Sequence, residues 1–226
     1  MEVTINPLYH DLITENNHIL IAGATRSGKS VLIDELILAA LCKGNSYFIM
    51  IDPKRVDLRK YRKLNNLIER VTDTQEAIRV LNDVIDVMEK RYKEMEANDQ
   101  VKTTRPRIYV IIDEVADLIL TNGKEITPLL QRIAALGAAA GISLVMATQT
   151  VLATILSTPI KNNFDCIIGL RTATANQSRV IIGENGTERL PRHGAGIIRT
   201  PQEIRRYKLP MTDPAILQEV IKIMSK

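Results

Sequence analysis

The octapeptide Gly23-Ala24-Thr25-Arg26-Ser27-Gly28-Lys29-Ser30 constrains this chain more than any other stretch. Its spacing is G-x-x-x-x-G-K-S, the pattern of a phosphate-cradling loop. The apolar run Ile19–Ala22 precedes it, and Val31, Leu32, Leu36, Ile37 and Ala40 follow at helical spacing. Strand, tight loop and helix N-terminus in that order build an anion site. Gly23 and Gly28 permit backbone angles and close approaches that a Cβ would block. The N–H groups from Thr25 to Ser30, with the positive end of the helix, form a nest for a β-phosphate. Lys29 sets its ammonium against the β- and γ-phosphates, and the Ser30 hydroxyl is a ligand for Mg²⁺. The expected binding set is therefore the octapeptide together with Val31, and the expected cofactors are ATP and Mg²⁺.

A second landmark is Ile108-Tyr109-Val110-Ile111-Ile112 followed by Asp113-Glu114. Five residues of β-forming type read as a buried parallel strand that delivers two carboxylates to its C-terminal tip. The first acid, Asp113, belongs to the Mg²⁺ shell, and Glu114 can polarise an attacking water. A simple phosphate-loop kinase takes its nucleophile from the acceptor and does not need the second acid, so the pair favours hydrolysis coupled to motion. A helix is expected over 125–140, ended by Gly141, and then a core strand Ile142–Ala147 tipped by Thr148-Gln149. An amide at such a tip is a candidate sensor of the γ-phosphate or the lytic water. Lys29, Glu114 and Gln149 are thus the catalytic candidates, with Ser30 and Asp113 on the metal.

With 226 residues, 45% of them hydrophobic, the chain is long enough for one sizeable domain over 1–226, with a short lead-in at 1–17. That lead-in is expected to hold a strand at Val3–Ile5 and a turn around Asn16–His18. The net charge of +4 leans toward a polyanionic partner. Aromatics at 4% argue against base stacking on single strands. Cys42 and Cys166 each lie beside apolar residues, which fits a reducing cytoplasm and no disulfide. No signal peptide is expected after Met1-Glu2, and no apolar run approaches the roughly 20 residues that cross a bilayer. Attachment to a membrane would then come from a partner protein.

The rest of the chain alternates strand and helix. The helix after the phosphate loop should end at Gly44, and a strand at Tyr47–Ile51 should end in Asp52-Pro53-Lys54. Residues 54–63 hold six basic side chains and one acid, which suits either a solvated face or contact with a phosphate backbone. Lys54, Arg55 and Arg59, with Lys161 further on, are the candidates for such phosphate-backbone contacts. Asp73-Thr74-Gln75-Glu76 is a capping box opening a helix to about Asn98, with a stripe of Ile78, Leu81, Ile85, Met88, Tyr92 and Met95 for the core. His18 is expected to pack, not to catalyse. A helical turn or two, broken at Ser157-Thr158-Pro159, precedes a strand at Cys166–Leu170, a helix at Ala175–Ile182, a strand at Gly196–Arg199 and a helix opened by Asp213-Pro214.

Taken together these motifs resemble the motor domain of the FtsK/SpoIIIE family within the FtsK–HerA superfamily. The matching stretches are His18 to Ser30, Ile51-Asp52-Pro53-Lys54 with Asp57-Leu58, the Asp113-Glu114 strand, and Ala140-Gly141-Ile142 leading to Ala147-Thr148-Gln149. Ser178-Arg179 and His193-Gly194 also fall where that family has similar residues, so the likeness spans roughly residues 15 to 200. It implies an α/β, RecA-like fold with a mostly parallel central sheet and helices on both faces. It also implies a homohexameric ring in which ATP hydrolysis drives double-stranded DNA through a pore. No membrane-spanning N-terminal region and no room for the family's C-terminal winged helix are seen, which argues against directional reading of sequence; the small size suits a stand-alone phage- or plasmid-type protein of DNA transfer, packaging or segregation, working with a membrane or capsid partner. Thr150-Val151 stand where the family usually has Arg-Pro, and Arg26 replaces its usual loop glycine. Ala138 stands where an arginine commonly reaches the neighbouring subunit's nucleotide, leaving Arg171, Arg179 or Arg132 for that role. Two alternatives stay open: a type VII secretion-like ATPase that moves protein, and a nucleotide-gated interaction module without turnover.

Overall fold

The computed structural model describes residues 6–225; the strand expected at Val3–Ile5 lies outside them. Helix α1 (Pro7–Glu15) leads into β1 (Ile19–Ala22), and the phosphate loop joins β1 to α2 (Lys29–Lys43). There follow β2 (Ser46–Ile51), a 3₁₀ turn at Arg59–Tyr61, β3 (Leu67–Val71), α3 (Thr74–Ala97), β4 (Arg107–Ile112), α4 (Val115–Leu136) and β5 (Ile142–Thr148). The last part comprises α5 (Thr158–Lys161), β6 (Cys166–Gly169), α6 (Ala175–Ile182), a 3₁₀ turn at Thr187–Arg189, β7 (Ala195–Arg199), β8 (Ile204–Lys208) and α7 (Pro214–Ile223).

The strands make one sheet in the order β3-β2-β4-β5-β1-β6-β7-β8. Pairing is parallel from β3 through β6 and antiparallel at β6–β7 and β7–β8. Strand residues alternate between two cores, as a period of two demands. Leu20, Ile51, Val110, Ile112, Leu144 and Met146 face α3, α4 and α6. Ile19, Ile21, Phe48, Met50, Tyr109, Ile111 and Val145 face α1, α2 and α7. Helices therefore cover both faces, and the central strands read as continuous apolar runs for that reason. No helix among the described residues is long and apolar enough to cross a membrane.

One feature of the strand order decides the site. Strand β5 lies between β1 and β4, with Ala22 level with Thr148 and Ile112 level with Met146. The phosphate loop, Thr148-Gln149 and Asp113-Glu114 consequently leave the sheet side by side on one edge.

Four local expectations change. The helix expected over 125–140 starts ten residues earlier, at Val115, and ends at Leu136. Val115, Ala116 and Leu118 already bury a helical face, and a non-helical residue, Asn122 (φ −148°, ψ 56°), divides the helix without ending it. Residues 7–15 form a helix, with Asn6 accepting from Leu8 N at 3.0 Å and Pro at its first turn. Strands β3 and β8 have half-exposed or exposed, charged sequences typical of edges and carry no apolar run to announce them. Ser157-Thr158-Pro159 starts α5, since proline fits the first turn of a helix. The expected α3 stripe is present, and Asp73 accepts from Gln75 N and Glu76 N, both at 3.0 Å. The return half of the box goes to Thr72 N at 3.5 Å instead of the N-cap amide.

Candidate nucleotide site

The phosphate loop is pinned from both neighbouring strands. Gly23 N donates to Thr148 O at 3.2 Å and Ala24 N to Arg171 O at 2.9 Å. Gly28 caps α2 at φ 98°, a left-handed angle that turns the following N–H groups into the loop. A Cβ on Gly23 would stand 2.6 Å from Leu170 Cβ and 2.8 Å from Ser27 Oγ, so the position admits no side chain. Arg26, standing where the resembled family has glycine, is itself left-handed at φ 62°.

Lys29 is buried and binds Asp113 twice, donating to its backbone carbonyl at 2.8 Å and ion-pairing with its carboxylate. Burial pushes the Asp113 carboxyl up; Lys29 opposes that shift, while the nearby charges of Asp57 and Asp52 add to it. Ser30 Oγ donates to Asp57 Oδ2 at 2.7 Å. Asp113 Oδ2 is buried without a hydrogen-bond partner. The unpaired carboxylate oxygen of Asp113, tied through Lys29 to the turn that carries the Ser30 hydroxyl, belongs to an all-oxygen donor set that suits a small hard cation such as Mg²⁺.

Glu114 and Gln149 meet because β5 intervenes. The Thr148 hydroxyl donates to Glu114 Oε1 at 2.6 Å, and Gln149 N reaches both Glu114 oxygens at 3.1 Å. On its other side Gln149 accepts the Thr25 hydroxyl at 2.9 Å. Lys54 Nζ donates to Glu114 Oε2 at 2.9 Å. Asp52 braces the turn that carries Lys54, accepting from Val56 N at 3.3 Å and pairing with Arg70 at 2.6 Å.

Lys29, Ser30, Asp113, Glu114 and Gln149 thus come together as expected. Lys54 joins them at the acid, while Arg55 and Arg59 are exposed beyond it. Lys161 does not: it lies before β6, at the opposite edge of the sheet, and donates inward to Val180 O at 2.5 Å. Among the arginines, Arg171 lines a cleft beside the phosphate loop with Arg26 and Arg192. Arg179 is held by Asn185 at 2.8 Å, and Arg132, far along α4, by Glu89 at 2.7 Å. Sequence reasoning assigned no role to Asp57 or Arg70. Asp57 was visible only as part of a resembling motif, and Arg70 lies on an unrecognised edge strand. A cavity of about 500 Å³ also opens beside Gly28 and Val31, lined by Tyr9, Leu170, Leu209 and Met211. Its apolar walls suit the face of a nucleobase.

Comparison with known proteins agrees with this arrangement. The DNA translocase FtsK of Treponema pallidum is 35% identical over 222 residues, covering 89% of this chain and 28% of its own length. The chain therefore spans a little over a quarter of that relative. Among solved structures, the pCW3 conjugation coupling protein TcpA, in its monomer form with ATPγS, superposes with a TM-score of 0.81 at 24% identity, over 92% of this chain and 64% of that one. The cytoplasmic domain of the type VII secretion ATPase EccC from Thermomonospora curvata gives 0.76 at 23%, over 92% and 28%. These two establish the P-loop ATPase fold. The FtsK/SpoIIIE family profile matches residues 1–105 and 95–152, and with the geometry above it follows that this chain belongs to the FtsK/SpoIIIE family.

Proposed function

We propose that this chain is a single motor domain that hydrolyses ATP and moves double-stranded DNA as a homohexameric ring. The observation that carries the reading is the placement of Gln149, which contacts the phosphate loop through Thr25 and Glu114 through its own N–H. A strand tip between the phosphate and the acid is positioned to report nucleotide state. Lys29 would leave Asp113 for the β- and γ-phosphates, Ser30 and Asp113 would hold Mg²⁺, and Glu114 would orient and deprotonate the water. When bound, the cation neutralises charge on the phosphates. The exposed turn carrying Lys54, Arg55 and Arg59 offers phosphate-backbone contacts without sequence preference. An arginine from the adjacent subunit completes the site, drawn from Arg171, Arg179 and Arg132. A relative named as a DNA translocase supports DNA over peptide as the cargo, because the type VII neighbour shares only the fold. The setting proposed for this chain is DNA transfer, packaging or segregation alongside a membrane or capsid partner.

The decisive experiment is ATPase rate with and without duplex DNA across protein concentration. The reading requires stimulation by duplex and a rate per chain that rises with concentration as rings form. Glu114→Gln should keep nucleotide binding and lower turnover by about 10²-fold or more, whereas Lys29→Ala should weaken binding itself. Turnover indifferent to DNA removes the motor reading, selective capture of an export-signal peptide points to protein transport, and nucleotide binding without turnover leaves a gated interaction module.

A further inference from the structure

In the function proposed above Glu114 orients the attacking water, yet each of its carboxylate oxygens already accepts two contacts. Oε1 accepts the Thr148 hydroxyl at 2.6 Å and the Gln149 N–H at 3.1 Å. Oε2 accepts Lys54 Nζ at 2.9 Å and shares the same N–H at 3.1 Å. An ionised carboxylate offers about four acceptor sites, so these four contacts leave little room for a water to dock on it. One partner has to leave before Glu114 can act.

The three partners are not equally free to go. Thr148 is fully buried within β5, and the Gln149 N–H is main chain leaving that strand. Lys54 is different. Its side chain is 38% exposed, against 1% for Glu114, and rides on a flexible stem at an exposed turn. Arg55 and Val56 beside it are exposed, as are Arg59 and Lys60 further along the run. Partial burial lowers the basicity of the Lys54 ammonium, but the hydrogen bond and charge of Glu114, with Asp117 and Asp113, outweigh it and raise it overall. The ammonium therefore stays charged, and its release is a competition between anions.

We propose that Lys54 is a positioning residue that holds Glu114 idle until phosphate oxygens of the DNA backbone draw its ammonium away, so that contact with DNA licenses hydrolysis. The identity of that phosphate rests on the motor reading above, while the clamp itself rests on the Glu114 contacts alone. A bound nucleotide's γ-phosphate offers the same chemistry, and the experiment separates the two sources.

Steady-state ATPase is measured for the unaltered chain, Lys54→Met and Lys54→Arg, each with ATP alone and with ATP plus a duplex, beside affinity for a non-hydrolysable ATP analogue. The expected result is a slow unaltered chain with ATP alone, and a Lys54→Met chain that runs about fivefold or more faster without DNA. Its stimulation by duplex should fall to about twofold or less, Lys54→Arg should restore both the slow basal rate and the stimulation, and analogue affinity should hold throughout. A purely structural role for Lys54 would not raise the DNA-free rate. A Lys54→Met rate without DNA that equals or falls below the unaltered chain's overturns the clamp. An unaltered chain already at full rate with ATP alone overturns DNA as the releasing phosphate, and with it the motor reading, independently of what Lys54→Met does.

Discussion

Thr25 donates its hydroxyl to the Gln149 side-chain oxygen at 2.9 Å across 124 residues of chain. The bond joins the phosphate loop to the tip of a strand that also touches Glu114, so a displacement of the loop is felt at the acid. Gln149→Ala should lower turnover by about tenfold or more and Thr25→Val by about fivefold. A double-mutant cycle should show the two losses to be strongly non-additive, since both act through one contact. Independent, additive losses measured by steady-state kinetics would separate Thr25 from the sensor.

Gly23 has no space for a methyl group. Gly23→Ala should cost about 1–3 kcal/mol of stability, because Leu170 is part of a packed strand end and cannot give way cheaply. Chemical denaturation followed by circular dichroism measures this, and nucleotide affinity should fall with it as the loop is displaced.

Arg26 occupies a left-handed angle that favours glycine. Relief of that strain, on the order of 1 kcal/mol, is nearly cancelled by the extra freedom glycine gives the unfolded chain. Arg26→Gly should therefore change stability by less than about 1 kcal/mol and keep nucleotide binding, whereas Arg26→Val should be destabilising because a β-branched residue fits that angle poorly. Thermal melts of the two variants distinguish them.

His18 is buried, and its Nδ1 accepts the Leu144 N–H at 3.1 Å. Burial pulls its pKa down to about 4; Asp165 opposes the shift and Arg107 reinforces it. The folded chain then binds fewer protons than the unfolded chain between about pH 4 and the unperturbed 6.5, so stability falls as pH drops through that window. The loss by pH 4 is about 3 kcal/mol from this group. Urea unfolding at pH 7 and pH 4.5 should show that slope, and His18→Asn should flatten it while keeping an acceptor for Leu144.

Much of the site could be read from spacing, because its chemistry is local in sequence. A glycine-bounded loop ending in Lys29-Ser30 and an apolar run ending in Asp113-Glu114 each announce their place in the fold within a few residues. Central strands and the α3 stripe were equally plain, since elements buried on one or both faces must be apolar at a fixed period. The edge strands β3 and β8 could not be found that way: β8 is exposed at nearly every residue and β3 is at least partly exposed up to Val71, so the adjacent charges Glu69-Arg70 and Arg205-Arg206 are tolerated on both faces. Lys161 illustrates the converse, as a charge that looks available from sequence is turned onto a backbone carbonyl away from the phosphate loop.

The order of residues alone determined that a glycine-bounded loop joins a buried strand to a helix N-terminus and that paired acids leave a buried strand. It did so because glycine geometry, helix N-termini and apolar periodicity act over distances of one or two turns. Only the tertiary structure decided that β5 lies between β1 and β4, putting Gln149 against both Thr25 and Glu114, and that Lys54 closes on Glu114. Strand order is chosen by packing two helical layers onto one sheet, a balance struck among residues far apart in the chain.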